Sequence, residues 1–271
     1  MSDLISIEIN DGIADVRLNR PEKYNALSPE MFSAIVAAGE SLTNNDDLRV
    51  VVLSGNGPGF CAGLDMGSFQ GMQNTDQKSS DSSLQDFSEG PANRAQKPAY
   101  AWKRLPVPVI AALHGVAYGG GLQVALGADI RIADPDAKLS VMEIKWGLIP
   151  DMSITQTLRD LMPIDVAKEL TFSGRILSGT EAQSLGLVTR TAKHPLDAAM
   201  ALAKEIAGKS PDAIRFAKKL FEESWHADEA TGLALESSLQ TTLIGSDNQL
   251  EAIKANFEKR GPDFGPAKFK V

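Results

Sequence analysis

The chain has 271 residues, 43% of them hydrophobic, and a formal net charge of −8, which describes a globular protein with ample length for a sizeable core. The acidic balance argues against a nucleic-acid footprint, and one cysteine with three histidines leaves neither a disulfide framework nor a Cys/His zinc site. No apolar run approaches 18 residues and no signal segment is evident, so no membrane partner is expected and the cytoplasm is the expected location.

Apolar and polar residues alternate through "ISIEINDGIADVRLNRP" around Asn10-Asp11-Gly12, the pattern of a hairpin. In "LSPEMFSAIVAAGESL", Ser28 reads as a helix cap, Pro29 as the first helical residue, and Leu27 as a staple against Phe32. "LRVVVLSG" is a continuous apolar run and reads as a strand covered on both faces. Residues 67–96 are rich in Ser, Gln, Asn and Asp, too polar and long for a routine connection, and read as a lid or a weakly helical insert.

"VPVIAALHG" is a second buried strand. A helix from about Gly120, then "ADIRIAD" and "KLSVMEI", continue the strand–helix–strand alternation. "DVAKELTFSG" and "GTEAQSLG" read as short helices and "LVTRTA" as a strand. From Leu196 onward the pattern is helical, with Ser210-Pro211 and Asp247 as caps. The expected organisation is an α/β body over residues 1–195 and a helical region over 196–271. That second region has too little core to fold alone, so it is expected to pack on the body or on another subunit.

Two small-residue turns stand out, "FCAGLDM" and "AYGGGLQ". "GPGFCA" fits the G-x-G-x-x-A pattern of a dinucleotide site, but no second strand with an acidic residue follows about 20 residues on, and Pro58 removes a backbone donor. A dinucleotide-binding oxidoreductase is therefore the weaker alternative. Turns of Gly and Ala also let a ligand carbonyl approach backbone N–H groups, and two such donors stabilise a developing oxyanion. Close packing of a helix on a sheet would use the same residues.

"LNRPEKYNALS", "FCAGLDM", "HGVAYGGGLQVALGADIRIA", "MEIKWGLIP" and "LSGTEAQSLGLV" together resemble the crotonase superfamily, the enoyl-CoA hydratase/isomerase family, over nearly the whole chain. The resemblance implies a crotonase-like spiral of ββα units, with C-terminal helices that build a homotrimer or homohexamer. It also implies an acyl-CoA thioester substrate, with coenzyme A as part of the substrate and no separate cofactor or metal. By position, the oxyanion donors would be the N–H groups of Leu64 and Gly120. Contacts to coenzyme A would fall on Lys23, Ala26, Ala62 and Asp65, with Phe257 and Lys259 supplied from the tail. A lysine found in some members just past the first turn is Gly67 here.

Family hydratases place one Glu two residues beyond the triple glycine and another twenty residues later. Here those positions hold Gln123 and Glu143, so one acid is lost. Asp151, eight residues past Glu143, resembles in its placement the acidic residue of the dienoyl-CoA isomerase branch. Glu143 and Asp151 could shuttle a proton without activating water, and an apolar pocket would raise their pKa values toward neutrality. Alternatively, Asp151 caps the helix in "MSITQTLRDL". His114, before Gly115 at a strand end, reads as a hydrogen-bonded core histidine, and Cys61, next to the first small-residue turn, lacks the paired base that a nucleophile needs. The expectation is an isomerase or lyase that leans to double-bond isomerisation, with hydration by Glu143 and a water on Gln123 as the alternative. A non-catalytic acyl-CoA-binding trimer is the alternative outside enzymology.

Overall fold

A computed structural model describes residues 3–68, 82–88 and 90–269. The central part of the expected polar insert, residues 69–81, lies outside the described residues. In chain order the strands are β1 (Ile5–Asn10), β2 (Ile13–Leu18), β3 (Val50–Gly55), β4 (Val109–Leu113), β5 (Val116–Tyr118), β6 (Ile130–Ala133), β7 (Lys138–Ser140), β8 (Leu177–Ser178) and β9 (Arg190–Thr191). The helices are α1 (Pro29–Thr43), α2 (Lys97–Arg104), α3 (Gly120–Leu126), α4 (Ile154–Thr157), α5 (Ile164–Ser173), α6 (Gly179–Ser184), α7 (Pro195–Ala207), α8 (Pro211–Ser224), α9 (Glu229–Leu243) and α10 (Asp247–Glu258).

The larger sheet runs β1-β2-β3-β4-β6-β9 and the smaller β5-β7-β8. β1 and β2 form the expected antiparallel hairpin, closed by Asp11 and Gly12 at φ 51° and 75°, the left-handed pair that a two-residue hairpin turn requires. β2, β3, β4, β6 and β9 are parallel. Twice, a strand of the larger sheet hands over to one of the smaller, β4 to β5 and β6 to β7. At the first handover Gly115 sits at φ 59°, and a side chain there would run into the carbonyl of Pro58. His114 makes its contact here too, with Nε2 2.9 Å from the carbonyl of Gly57, as the structural reading of that residue expects.

The apolar runs are continuous because the larger sheet is covered on both faces. Val51, Leu53, Ala111 and Leu113 face α1 through Met31, Ile35 and Leu42. Val50, Val52, Ile110, Ala112 and Ile132 face α7 through Ala199, Ala203 and Ala207. Three alanines at i, i+4, i+8 lie on one helix face, and their small size lets α7 approach the strands closely. Helix α1 begins as expected: Pro29 opens it, and Ser28 Oγ accepts from Met31 N at 3.3 Å.

Helices α8 to α10 follow. Ser210 caps α8 and Asp228 caps α9. Asp247 is not the cap of α10: Ser246 holds that place, and Asp247 pairs with Lys268 instead. Buried Asp212 accepts from the backbone N–H of Lys268 and from Asn248 Nδ2, both at 2.7 Å, which ties the chain end to α8 and α10. Among the described residues, no helix is long and apolar enough to cross a membrane.

Candidate active site

The two small-residue turns are stitched together by the backbone. Cys61 N donates to Val116 O and Tyr118 N to Cys61 O, each at 3.0 Å, forming a parallel bridge between Cys61 and Ala117. Two residues on, Leu27 N donates to Gly63 O at 2.8 Å and Asp65 N to Leu27 O at 3.1 Å. In such a bridge Leu27 engages the neighbours of Leu64, so the N–H of Leu64 points to the opposite side. A buried Asn25, at φ 56°, braces this turn: its Nδ2 lies 3.0 Å from the carbonyls of Asn56, Gly59 and Phe60.

The second turn enters α3 through Gly119, at φ 51° and ψ −124°, a conformation open in practice only to glycine. Gly120 then supplies the first helical N–H, which has no acceptor within its own helix. A Cβ on Gly63 would lie 3.7 Å from Gly120 N and 2.7 Å from Tyr118 O. The expected donors therefore belong to adjoining turns. Among the described residues, neither the N–H of Leu64 nor that of Gly120 has a hydrogen-bond partner.

Gln123 lies one turn further along α3 and is 1% exposed. Its Nε2 donates to Glu143 Oε1 at 2.6 Å, and its Oε1 accepts from the backbone N–H of Met152 at 2.8 Å. Glu143 does not extend β7, which ends at Ser140; it opens a 3-10 turn, Glu143–Trp146. Its Oε2 is buried without a hydrogen-bond partner among the described residues. Burial pushes the Glu143 carboxyl above the usual carboxylate range; hydrogen bonds from its own backbone and from Gln123 oppose that shift, and the charge of Asp151 adds to it.

Burial also raises the pKa of Asp151. This residue is accessible through the cavity it lines, yet the surrounding walls withdraw enough water to disfavour its charge. It caps nothing. Helix α4 starts at Ile154, with Ser153 in the cap position at φ 67°.

A cavity of about 800 Å³ joins these groups. Leu64, Gly120, Gln123, Glu143 and Asp151 line it, as do Lys23, Ala26, Ala62 and Asp65. Phe257 and Lys259 do not: Phe257 is 84% exposed near the end of α10 and Lys259 closes that helix at φ 54°. Asp65 is already engaged, since its Oδ1 accepts from Gly67 N at 2.8 Å and its Oδ2 from Arg20 Nη1 at 2.7 Å. Those bonds, the Gly67 one foremost, hold its carboxyl below the usual range. Sequence reasoning missed Arg20, Asn25 and Met152. The first two lie inside "LNRPEKYNALS", where an Asn able to adopt left-handed geometry was the available signal; nothing local marks Met152.

Cys61 is unsuited to nucleophilic work. Its thiol donates to Asn25 O at 3.1 Å and burial pushes its pKa up to about 12. Among the described residues, no cluster of three His, Cys, Asp or Glu gathers to hold a metal ion. What the cavity gathers is two backbone N–H groups without a partner among the described residues and two carboxyls whose pKa values lie closer to neutrality than usual.

The sequence model of the family described as enoyl-CoA hydratase/isomerase matches residues 8–267. The chain belongs to that family. Human mitochondrial methylglutaconyl-CoA hydratase is 33% identical over 95% of this chain and 75% of its own length. The peroxisomal Δ(3,5)-Δ(2,4)-dienoyl-CoA isomerase of Arabidopsis thaliana is 31% identical over 97% of this chain and 96% of its own. Among solved structures, enoyl-CoA hydratase from Bacillus anthracis superposes with a TM-score of 0.86 at 32% identity, covering 96% of this chain and 98% of that one. This is the crotonase fold, and an acyl-CoA enzyme of the hydratase/isomerase family is the coarse function it carries.

Proposed function

We propose that this family member moves a carbon–carbon double bond along an acyl-CoA thioester. The thioester oxygen would accept from the N–H groups of Leu64 and Gly120. Removing a proton beside the carbonyl turns that oxygen into an enolate oxyanion, where one preorganised donor contributes about 3–4 kcal/mol. Glu143 takes the proton from one carbon and Asp151 returns one to the distal carbon, so no water is added and the mass of the ester is unchanged. Both carboxyls have raised pKa values, which suits each to hold or release a proton near neutrality. Leu148, Ile149 and Met152 in the cavity wall suit an apolar acyl chain.

The observation that carries this reading is the engagement of Gln123. Its amide is bonded to Glu143 on one side and to the Met152 N–H on the other, and an amide does not serve as an acid or a base at neutral pH. It therefore supplies no second acid, and each end of the amide already holds a protein group. Hydration by Glu143 alone is the second reading, favoured by Oε2, an acceptor left without a partner among the described residues. Incubating the protein with 2-enoyl, 3-enoyl and dienoyl CoA esters separates the two by absorbance and mass. Double-bond migration without a mass change is expected. Rapid gain of one water on crotonyl-CoA would overturn the isomerase reading.

The same proposal extends to assembly as a homotrimer or homohexamer. Helices α8 to α10 leave Phe221, Trp225, Leu233, Leu250, Ile253 and Phe257 exposed on one chain, apolar side chains that a neighbouring subunit would cover. Such contact could bring Phe257 and Lys259 to a neighbour's cavity.

A further inference from the structure

We propose that Gln123 is a positioning residue that sets both proton carriers at once, holding Glu143 through its Nε2 and the Asp151–Met152 peptide through its Oε1. This rests on the reading of Glu143 and Asp151 as the groups that move protons. Residues 123, 143 and 152 meet only in the folded chain, at 2.6 and 2.8 Å. The amide orientation follows from its partners: an ionised carboxylate can only accept and a peptide N–H can only donate. Gln satisfies both with one planar group.

Three consequences follow from the geometry. Glu143 has Oε1 occupied, and a Cβ on Gly119 would stand 3.3 Å from that atom, so Oε2 is the oxygen left to take a proton. Asp151 is fixed indirectly, since the N–H that Gln123 holds belongs to the peptide bond joining Asp151 to Met152. On the far side, Ser153 Oγ donates to Gln96 O at 3.1 Å, so the segment is tied at two points. Finally, Gln123 sits one helical turn from Gly120 on the same rigid helix. Both acids are therefore referenced to the oxyanion donor through one side chain. Glutamate at this position could accept from Met152 but would set a carboxylate against Glu143; methionine would satisfy neither partner.

The test compares Gln123→Met and Gln123→Glu with the parent protein, without substrate and then with it. Carboxyl titration by carbon NMR reads Glu143, and hydrogen exchange reads the Met152 amide. In Gln123→Met, Glu143 should titrate higher, because the donor that favours its charged form is gone, and the Met152 amide should exchange about 10–100-fold faster. Gln123→Glu should split the two arms. Met152 protection stays, while the introduced carboxyl and Glu143, with Asp151 as the other facing carboxylate, together hold a proton to higher pH. In turnover, Gln123→Met should lower kcat about 10–100-fold with KM nearly unchanged. An unchanged Glu143 titration and Met152 exchange in folded Gln123→Met would overturn the clamp, and so would loss of Met152 protection in Gln123→Glu. Failure of the parent protein to exchange acyl-CoA α-protons in D₂O would instead overturn the proton-carrier reading, and leaves the two substrate-free measurements to decide the clamp.

Discussion

Gly121 and Cys61 touch with no room between them: a methyl group on Gly121 would stand 2.5 Å from the carbonyl oxygen of Cys61 and 2.7 Å from its sulfur. This contact presses Cys61 of one turn against the helix that follows the other, so the two turns that carry Leu64 and Gly120 meet here without slack.

Gly121→Ala should therefore separate the turns. The overpacking should destabilise the protein by about 1–3 kcal/mol, read from urea unfolding, and turnover should fall even under conditions where the variant is folded. Parent-like stability and turnover together would show that the turns have slack.

Gly120 allows a cleaner separation of crowding from hydrogen bonding. Gly120→Pro removes the N–H at a first helical position, where proline is otherwise tolerated. Gly120→Ala keeps the N–H but meets the same neighbours, Met152 Sδ at 2.7 Å and Leu27 Cδ1 at 2.9 Å, both side-chain ends able to shift. Turnover should drop about 10²–10³-fold in the proline variant and clearly less in the alanine variant. Equal losses would assign the effect to crowding and remove the Gly120 donor from the mechanism.

The carboxyl groups of Glu143 and Asp151 are both raised, by burial first of all. A raised carboxyl stays protonated in the folded chain at a pH where the unfolded chain has already lost the proton. The folded state binds more protons across that window, so stability falls as pH rises through it. Glu143→Gln and Asp151→Asn should then melt at higher temperature than the parent at pH 7. The gain should shrink toward zero below about pH 4, where the carboxyls are protonated in both states. The same Glu143→Gln change should reduce α-proton exchange about 10²–10⁴-fold. Lower stability at pH 7 in both variants would contradict the burial cost.

Light scattering at micromolar concentration tests assembly. Three or six chains are expected, because the exposed apolar side chains of α8 to α10 have no cover among the described residues. A monomer would contradict it.

Much of this protein is legible in short stretches of sequence, because the physics involved is local. Ser28 and Pro29 start a helix whatever surrounds them, and Asp11-Gly12 closes a hairpin through its own left-handed geometry. The apolar run at 50–53 alternates faces residue by residue and so announces a sheet covered on both sides. Strands β5 and β8, of three and two residues, carry too few residues for any pattern to show. The end of β7 before Glu143, and Ser246 rather than Asp247 as the cap of α10, depend on where neighbouring elements stop. Above all, the sequence shows that Gln123 replaces an acid but not what Gln123 does. Its partners lie 20 and 29 residues away. Only the passage of the chain from one sheet to the other brings Glu143 and the Met152 N–H to the two ends of one buried amide, and hydrogen bonds over such separations leave no periodic trace in the chain.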